Sequence, residues 1–325
     1  MSIRSGVIFA GIFLVGIVFG FFSEDFFVQK KIENSKQVRQ IGQYTYINPL
    51  LECEVAEGSI DARKENFRNE LEKHVDVLKR ENALSSVAVY FRDLNNGPTF
   101  GVNVEGEFFP ASLLKVPVMM AYYHLAEQDP SILQKEILFE SKEDFGIVPT
   151  IVPKEELILG NTYTVEELIR RMIVYSDNQA IGLLTKMLPL TVMEDLFSML
   201  GVGEDVLTDP EGKLTVKEYA GFFRILFNSS YLSREYSEKA LALLAMTDYR
   251  DALPAGVGDK ITVAHKFGEA GTENVERQLH DCGIVYFPDH PYLVCIMTRG
   301  KDSETLKKSI VDISKFLYDK IDKQY

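Results

Sequence analysis

The sequence predicts an α/β fold of the α+β type in two lobes: a five-stranded, mainly antiparallel sheet flanked by N- and C-terminal helices, and an all-helical lobe. Three observations predict it. The hydrophobic patterns run helix, two strands, a long helical stretch, three strands, helix. Connections between successive strands are short, which makes those strands antiparallel neighbours. Each terminal helix carries one apolar stripe, and such a stripe must be buried, here against the sheet. Two lobes leave a cleft between them, a favoured place for a small ligand.

From Asp61, the residues Phe67, Leu71, His74 and Leu78 fall at helical spacing and predict an amphipathic helix to about Glu81. His74 on that stripe reads as a core-edge histidine rather than a ligand. SVAVYFRDL (85–93) and PTFGVNV (98–104) read as two strands joined by a turn at Asn95-Asn96-Gly97. After Pro110 the chain is mostly helical to about residue 250, which sets the helical lobe at about 112–250. Thr164-Val165-Glu166-Glu167 and Thr215-Val216-Lys217-Glu218 have the capping-box form and start two of its helices. Strand signals return in KITVAHKF (260–267), ENVERQLHDCGIVYF (273–287) and PYLVCIMTR (291–299), the last two joined by a turn at Pro288-Asp289-His290. A final helix carries Leu306, Ile310, Ile313 and Leu317 on one stripe.

Composition excludes several functions. Of 325 residues, 46% are hydrophobic and 26% charged, the usage of a folded domain rather than a disordered chain. A net charge of -13 argues against nucleic acid as a partner, because a phosphate backbone needs a basic face. The five histidines form no HExxH or HxH pair, so no metal site is expected. GxGxxG, GxxxxGK[ST] and GxSxG are all absent, and no cofactor is expected. Three cysteines are too few for a disulfide framework. Cys282 and Cys295 flank a hairpin and are either neighbours or two buried free thiols.

Residues 6–22, GVIFAGIFLVGIVFGFF, are an unbroken apolar run behind Arg4 and ahead of Ser23, Glu24 and Asp25. At about 1.5 Å per residue it just reaches across a ~30 Å hydrocarbon core. Residues 1–22 therefore read as a signal-anchor with its positive end in the cytoplasm. A cleaved signal peptide competes with that reading, although Val18-Phe19-Gly20 makes a poor cleavage site. Either way the domain is exported, so the expected location is the cell membrane, single-pass, with the rest of the chain periplasmic or at the cell surface. Residues 23–60 show no sustained period and read as a spacer, leaving 61–325 as the main folded domain.

The chemistry concentrates in three short segments. Ser112-Leu113-Leu114-Lys115 opens a helical run, so Lys115 can reach the Ser112 hydroxyl three positions back. Serine becomes a nucleophile when a neighbouring base takes its proton, and a lysine can do so once burial or a second cation has lowered its pKa. The Ser112 N–H, at a helix start, is available to a developing oxyanion. Tyr175-Ser176-Asp177-Asn178 lies between two helices, where Ser176 can relay protons and Asn178 can hold a substrate amide. His265-Lys266-Phe267-Gly268 sits in a strand that continues into Glu269-Ala270-Gly271, with Lys266 on the face opposite His265 and Phe267 by alternation. Taken singly, each has a plain reading: a capping serine, a turn, a lysine guarding an edge strand.

Together and in this order, Ser-x-x-Lys at a helix start, Ser-Asp-Asn between helices and Lys-x-Gly on a strand resemble the penicillin-recognising serine hydrolases, and most of all the class A β-lactamase group. The resemblance runs from about Asp61 to Tyr325. It implies a serine β-lactamase/DD-peptidase-like fold, with Ser112 as the acylated nucleophile and Lys115 as its proton acceptor. It makes Ser176 the shuttle to the leaving nitrogen and Asn178 the ligand of the substrate amide carbonyl. Lys266 would supply positive potential for a substrate carboxylate and for the proton relay. Gly268 would let the ligand approach the strand edge, and the Ser112 and Glu269 amides would form the oxyanion hole. The implied partner is a β-lactam or a peptidoglycan stem peptide, and the chain is taken as a monomer.

The pattern departs from that group in two places. The long loop carrying the water-activating glutamate is reduced to Leu207-Thr208-Asp209-Pro210-Glu211-Gly212, where Glu211 is the nearest candidate and the loop asparagine is missing. Acylation without rapid deacylation is the consequence. Phe267 stands where the group has threonine or serine, whose hydroxyl helps hold the substrate carboxylate, so recognition is altered. The leading reading is a serine hydrolase that opens a β-lactam through an acyl-Ser112 intermediate. A D-Ala-D-Ala peptidase or transpeptidase acting on peptidoglycan, and a non-catalytic wall-binding protein, are the alternatives.

Overall fold

A computed structural model of the chain describes residues 44–49, 62–95, 99–145, 154–209, 211–271 and 276–324. The apolar run at 6–22, most of the spacer, Cys53 and the Asn96-Gly97 turn lie outside the described residues. Among the described residues, no helix is long and apolar enough to cross a membrane.

The chain enters with α1 (Ala62–Glu81), then β1 (Ser86–Asp93) and β2 (Thr99–Val102). Its last third supplies β7 (Val263–Ala270), β8 (Arg277–Val285), β9 (Tyr292–Gly300) and a closing helix, α10 (Ser303–Gln324). These strands form one antiparallel sheet in the order β2-β1-β9-β8-β7, which leaves β7 on an edge. Leu71, Val75 and Leu78 of α1 pack with Leu306, Ile310, Ile313 and Leu317 of α10 against one face of that sheet. The expected stripes are the buried ones, because period 3.6 on the helix meets period 2 on the strand. His74 stacks on Phe316 with ring centroids 4.5 Å apart, a packing role as expected.

The opposite face carries Ala88, Tyr90, Ala264, Cys282, Ile284, Leu293, Cys295 and Met297, and packs on the helical lobe. That lobe holds α2 (Lys115–Gln128), α3 (Val165–Val174), α4 (Asn178–Met187), α5 (Leu190–Leu200), a short α6 (Asp205–Thr208), α7 (Val216–Phe227) and α8 (Arg234–Ala245). A single turn, α9 (Leu253–Val257), leads back to the sheet. The lobe is not purely helical, since β3 (Glu107–Phe108) pairs with β6 (Leu214–Thr215), and β4 (Glu136–Leu138) pairs with β5 (Thr162–Thr164). Such two- and three-residue ladders are too short to show a period in sequence.

Both predicted caps form. The Thr215 hydroxyl accepts from the Glu218 N–H while the Glu218 carboxylate accepts from the Thr215 N–H, a complete box. The Thr164 hydroxyl accepts from the Glu167 N–H, but the Glu167 carboxylate turns to Arg170 and Arg171. That half of the box is lost to stronger, charge-assisted partners.

Two sequence expectations need correction. The spacer boundary at residue 61 leaves out residues 44–49, which dock on the helical lobe. There the backbone N–H groups of Thr45, Tyr46 and Ile47 all donate to the Glu238 carboxylate of α8, and the Tyr286 hydroxyl donates to the Tyr46 carbonyl at 2.9 Å. A docked segment held through its backbone has no periodicity to read. β7 runs on to Ala270 as expected, because Glu269 and Ala270 continue the ladder opposite Leu279 and Gln278. Cys282 and Cys295, directly opposite in the β8–β9 ladder, form a disulfide.

Candidate active site

The segment that carries Ser112, the candidate nucleophile, is a 3-10 turn, Ala111–Leu114, running straight into α2. Its shape is unusual. Ala111 has φ +49°, a left-handed conformation that a β-carbon disfavours and that persists only when its surroundings impose it. Those surroundings come from four directions. Leu113 N–H donates to the Pro110 carbonyl at 3.0 Å, and the buried Tyr219 hydroxyl of α7 donates to the Leu113 carbonyl at 3.0 Å. From β8, the Gln278 side-chain carbonyl accepts from the Phe109 N–H at 3.2 Å. His280 Nε2 meets the Phe109 carbonyl at 3.1 Å. Burial pushes the His280 pKa down to about 4, so the ring is neutral at pH 7. Its Nδ1 accepts from the Thr298 N–H at 3.3 Å, which leaves Nε2 as the protonated nitrogen that donates to Phe109.

Gly268 closes the fourth side. A β-carbon there would stand 2.9 Å from the Pro110 carbonyl oxygen, 3.0 Å from Leu113 Cγ and 3.2 Å from the Leu113 nitrogen. The expectation that this glycine makes room for a ligand is therefore corrected: the space it leaves is filled by the nucleophile turn itself. β7 and the turn touch through backbone, and that contact sets the distance between the first and third motifs. The Glu269 amide lies on β7 beside Gly268, and the Ser112 amide lies in the turn beside Leu113. The Glu269 side chain points elsewhere, 3.4 Å from the Ser303 hydroxyl.

Lys115 is the hub. Its Nζ lies 2.9 Å from Ser112 Oγ, 3.0 Å from Ser176 Oγ, 2.7 Å from the Ser176 carbonyl and 2.6 Å from Asn178 Oδ1. Burial lowers its pKa to about 7, against an opposing pull from Asp177. Lys266 reaches the same hydroxyl from β7, with Nζ 2.9 Å from Ser176 Oγ. Burial and the neighbouring Lys115 hold its pKa well below the ordinary lysine value. Ser112, Lys115, Ser176, Asn178 and Lys266 thus converge on one polar cluster where the sheet edge meets the helical lobe.

The second motif is held by local chemistry. Asp177 caps α4, its carboxylate accepting from the Gln179 and Ala180 amides at 2.8 and 3.3 Å. Ser176, one residue earlier, takes φ +56° and turns its hydroxyl and carbonyl together toward Lys115. Burial raises the Asp177 carboxyl above its usual range.

One expectation about the third motif changes. An edge strand does carry Lys266, yet the side chain has no exposed surface and guards no edge. Alternation holds at Cβ, since Lys266 pairs with Cys282 on the helical-lobe face, yet its Nζ donates to the Phe267 carbonyl at 2.9 Å and lies 3.9 Å from the Phe267 ring centroid. Alternation governs where Cβ points, whereas a four-carbon stem can bend round a strand edge. The loop candidate Glu211 is exposed, its amide donating to Asp209 Oδ1 at 2.8 Å. It belongs to a surface turn. Among the described residues, no cluster of His, Cys, Asp and Glu could hold a metal.

Sequence reading missed Tyr219, Gln278, His280 and the strained Ala111. Only the pairing of distant strands and helices brings them to the nucleophile, so no local signal could have found them.

A serine and two pKa-lowered lysines meeting at a second serine, on the edge of an antiparallel sheet, define a serine acyl-transfer enzyme. The profile of the Beta-lactamase enzyme family matches residues 68–321, and the chain belongs to that family. It is 24% identical to β-lactamase VEB-1 of Pseudomonas aeruginosa over 284 residues, covering 79% of this chain and 91% of that protein. Among solved structures it resembles PBP-A, at 21% identity and a TM-score of 0.66 over 79% of this chain and 96% of that one. The β-lactamase of Sphaerobacter thermophilus gives 23% identity and a TM-score of 0.63, covering 75% and 95%. The structural likenesses show a shared fold, and the family makes this chain a serine hydrolase that acts on the cyclic amide of a β-lactam.

Proposed function

We propose that the enzyme opens β-lactams through an acyl-Ser112 intermediate that it releases slowly. Neutral Lys115 takes the Ser112 Oγ proton as Oγ adds to the ring carbonyl, and the Ser112 and Glu269 amides receive the oxyanion. As the carbon–nitrogen bond breaks, Ser176 passes a proton from the lysine pair to the departing nitrogen. Asn178 orients the substrate amide. One observation carries this reading: Lys115 Nζ sits within 3.0 Å of both the Ser112 and Ser176 hydroxyls, so one amine connects the attacking and leaving ends of the reaction.

Slow release follows from what surrounds the serine. The hydrogen bonds of Lys115 and Ser112 among the described residues include no carboxylate, and Glu211 faces solvent. A single-residue mutant of PBP-A has been solved as an acyl-enzyme complex with penicillin G, so the intermediate proposed here is a species this fold can hold. The test is intact-protein mass spectrometry after mixing with a chromogenic lactam. The expected result is a burst of one equivalent, an adduct of one lactam mass and slow decay, all lost in Ser112→Ala. A label that survives Ser112→Ala would overturn the nucleophile, and fast turnover with no adduct would overturn slow release.

The apolar run at 6–22 supports a membrane anchor holding the catalytic domain outside the cytoplasm. Fractionation of the full chain, with protease added to intact cells, should leave the domain in the membrane fraction and cleavable from outside. Recovery in the cytosol would end that reading.

A further inference from the structure

Within the third motif, Lys266 Nζ has two oxygen partners, Ser176 Oγ at 2.9 Å and the Phe267 carbonyl at 2.9 Å. The Phe267 ring covers it as well, its centroid 3.9 Å away. The ring is itself fixed: Phe267 is 4% exposed and packs against Tyr249 with centroids 4.4 Å apart. An anion binds an ammonium group at about 2.7–2.9 Å, through an open face. Lys266 is 0% exposed and offers no such face to the cleft. Burial beside Lys115 also disfavours its charge. Phenylalanine adds no donor of its own.

We propose that Phe267 is a specificity-determining residue, which closes the carboxylate subsite of this enzyme and puts an aromatic wall, Phe267 with Tyr249, in its place. Substrates are then recognised at that end by apolar contact rather than by charge. Lactams whose carboxylate is masked as a neutral ester then acylate Ser112 as fast as the free acids. Lys266 is left to the proton relay through Ser176. The inference rests on the acyl-Ser112 reading.

The experiment compares one lactam as its free acid and as its methyl ester, measuring the second-order rate of acylation for each. In the wild-type chain the two rates should agree within about threefold. In Phe267→Thr, which uncovers Lys266 and restores a hydroxyl, the acid should gain at least tenfold over the ester. A wild-type preference for the acid of tenfold or more overturns the proposal, as does a Phe267→Thr variant with an unchanged ratio. Melting curves confirm that the variant is folded, and Phe267→Ser replaces it if it is not. The wild-type arm needs no variant, so misfolding cannot shield the proposal. Failure of the underlying reading looks different: neither acid nor ester would leave a covalent adduct on Ser112.

Discussion

Lys115 is almost wholly buried, yet it meets four oxygen atoms within 3.0 Å, one more than an ammonium has N–H groups. A neutral amine can donate to some of these and accept from a hydroxyl, which suits a base poised near pH 7. Since burial has lowered its pKa from the lysine value to about 7, the base form dominates above that pH. Acylation should rise with pH up to about 7 and level off, and Lys115→Met should slow it by about 10²–10⁴. Stopped-flow acylation from pH 5 to 9 reads both, and a flat profile would remove Lys115 from the role of base. The same shift carries a stability consequence. Between about pH 7 and the unfolded lysine value the unfolded chain binds the extra proton, so this group's contribution to stability improves as pH rises through that window. Gly268 makes a second residue-scale case. Gly268→Ala should press the nucleophile turn away from β7, costing about 1–3 kcal/mol in stability and about a hundredfold in acylation rate, measured by thermal melts and by adduct formation.

At the scale of elements, β8 does more than fill the sheet. Gln278 and His280 extend from it to both polar groups of the Phe109 peptide, two residues ahead of the strained Ala111. Their side chains lie on the same face of the strand because they are two apart, the period of a β-strand. Gln278→Ala frees one amide and loosens the turn. Acylation should fall about tenfold at an unchanged substrate KM, with a stability loss of about 1 kcal/mol. A raised KM at constant kcat would instead place Gln278 on the substrate. α7 works from the other side through Tyr219, and its start is fixed by the complete Thr215–Glu218 box.

Across the whole molecule, the sheet divides two apolar cores, one under the terminal helices and one beneath the helical lobe. The polar cluster sits at the β7 edge of that sheet, where the helical lobe meets the nucleophile turn. The Cys282–Cys295 disulfide links β8 to β9 within the helical-lobe core, and Cys282 is the ladder partner of Lys266. With a sequence separation of 13, the bond closes a loop for which chain entropy predicts about 2–3 kcal/mol. Replacing both cysteines by alanine should lower the melting temperature by about 5–10 °C while changing acylation less than threefold. An unchanged melting temperature would show that the bond does not form in solution.

Much of this protein is written along the chain. The two-lobed order of elements, the stripes on the terminal helices, the caps at Thr164 and Thr215, and the three motifs can all be read from local periodicity and from residues three or four apart. That suffices because helix and strand patterns are local, and Ser112 and Lys115 share one helical turn. The structure alone decided the rest. The disulfide, the docking of residues 44–49, the four-sided clamp on Ala111 and the partner of Gly268 all join residues far apart in sequence. So does the meeting of both lysines at Ser176. Even the cover that Phe267 lays over Lys266, its chain neighbour, depends on a lysine stem bending at a strand edge, which alternation does not describe. Sequence names the groups suited to acyl transfer; only folding buries them together, and burial is what lowers the pKa of both lysines.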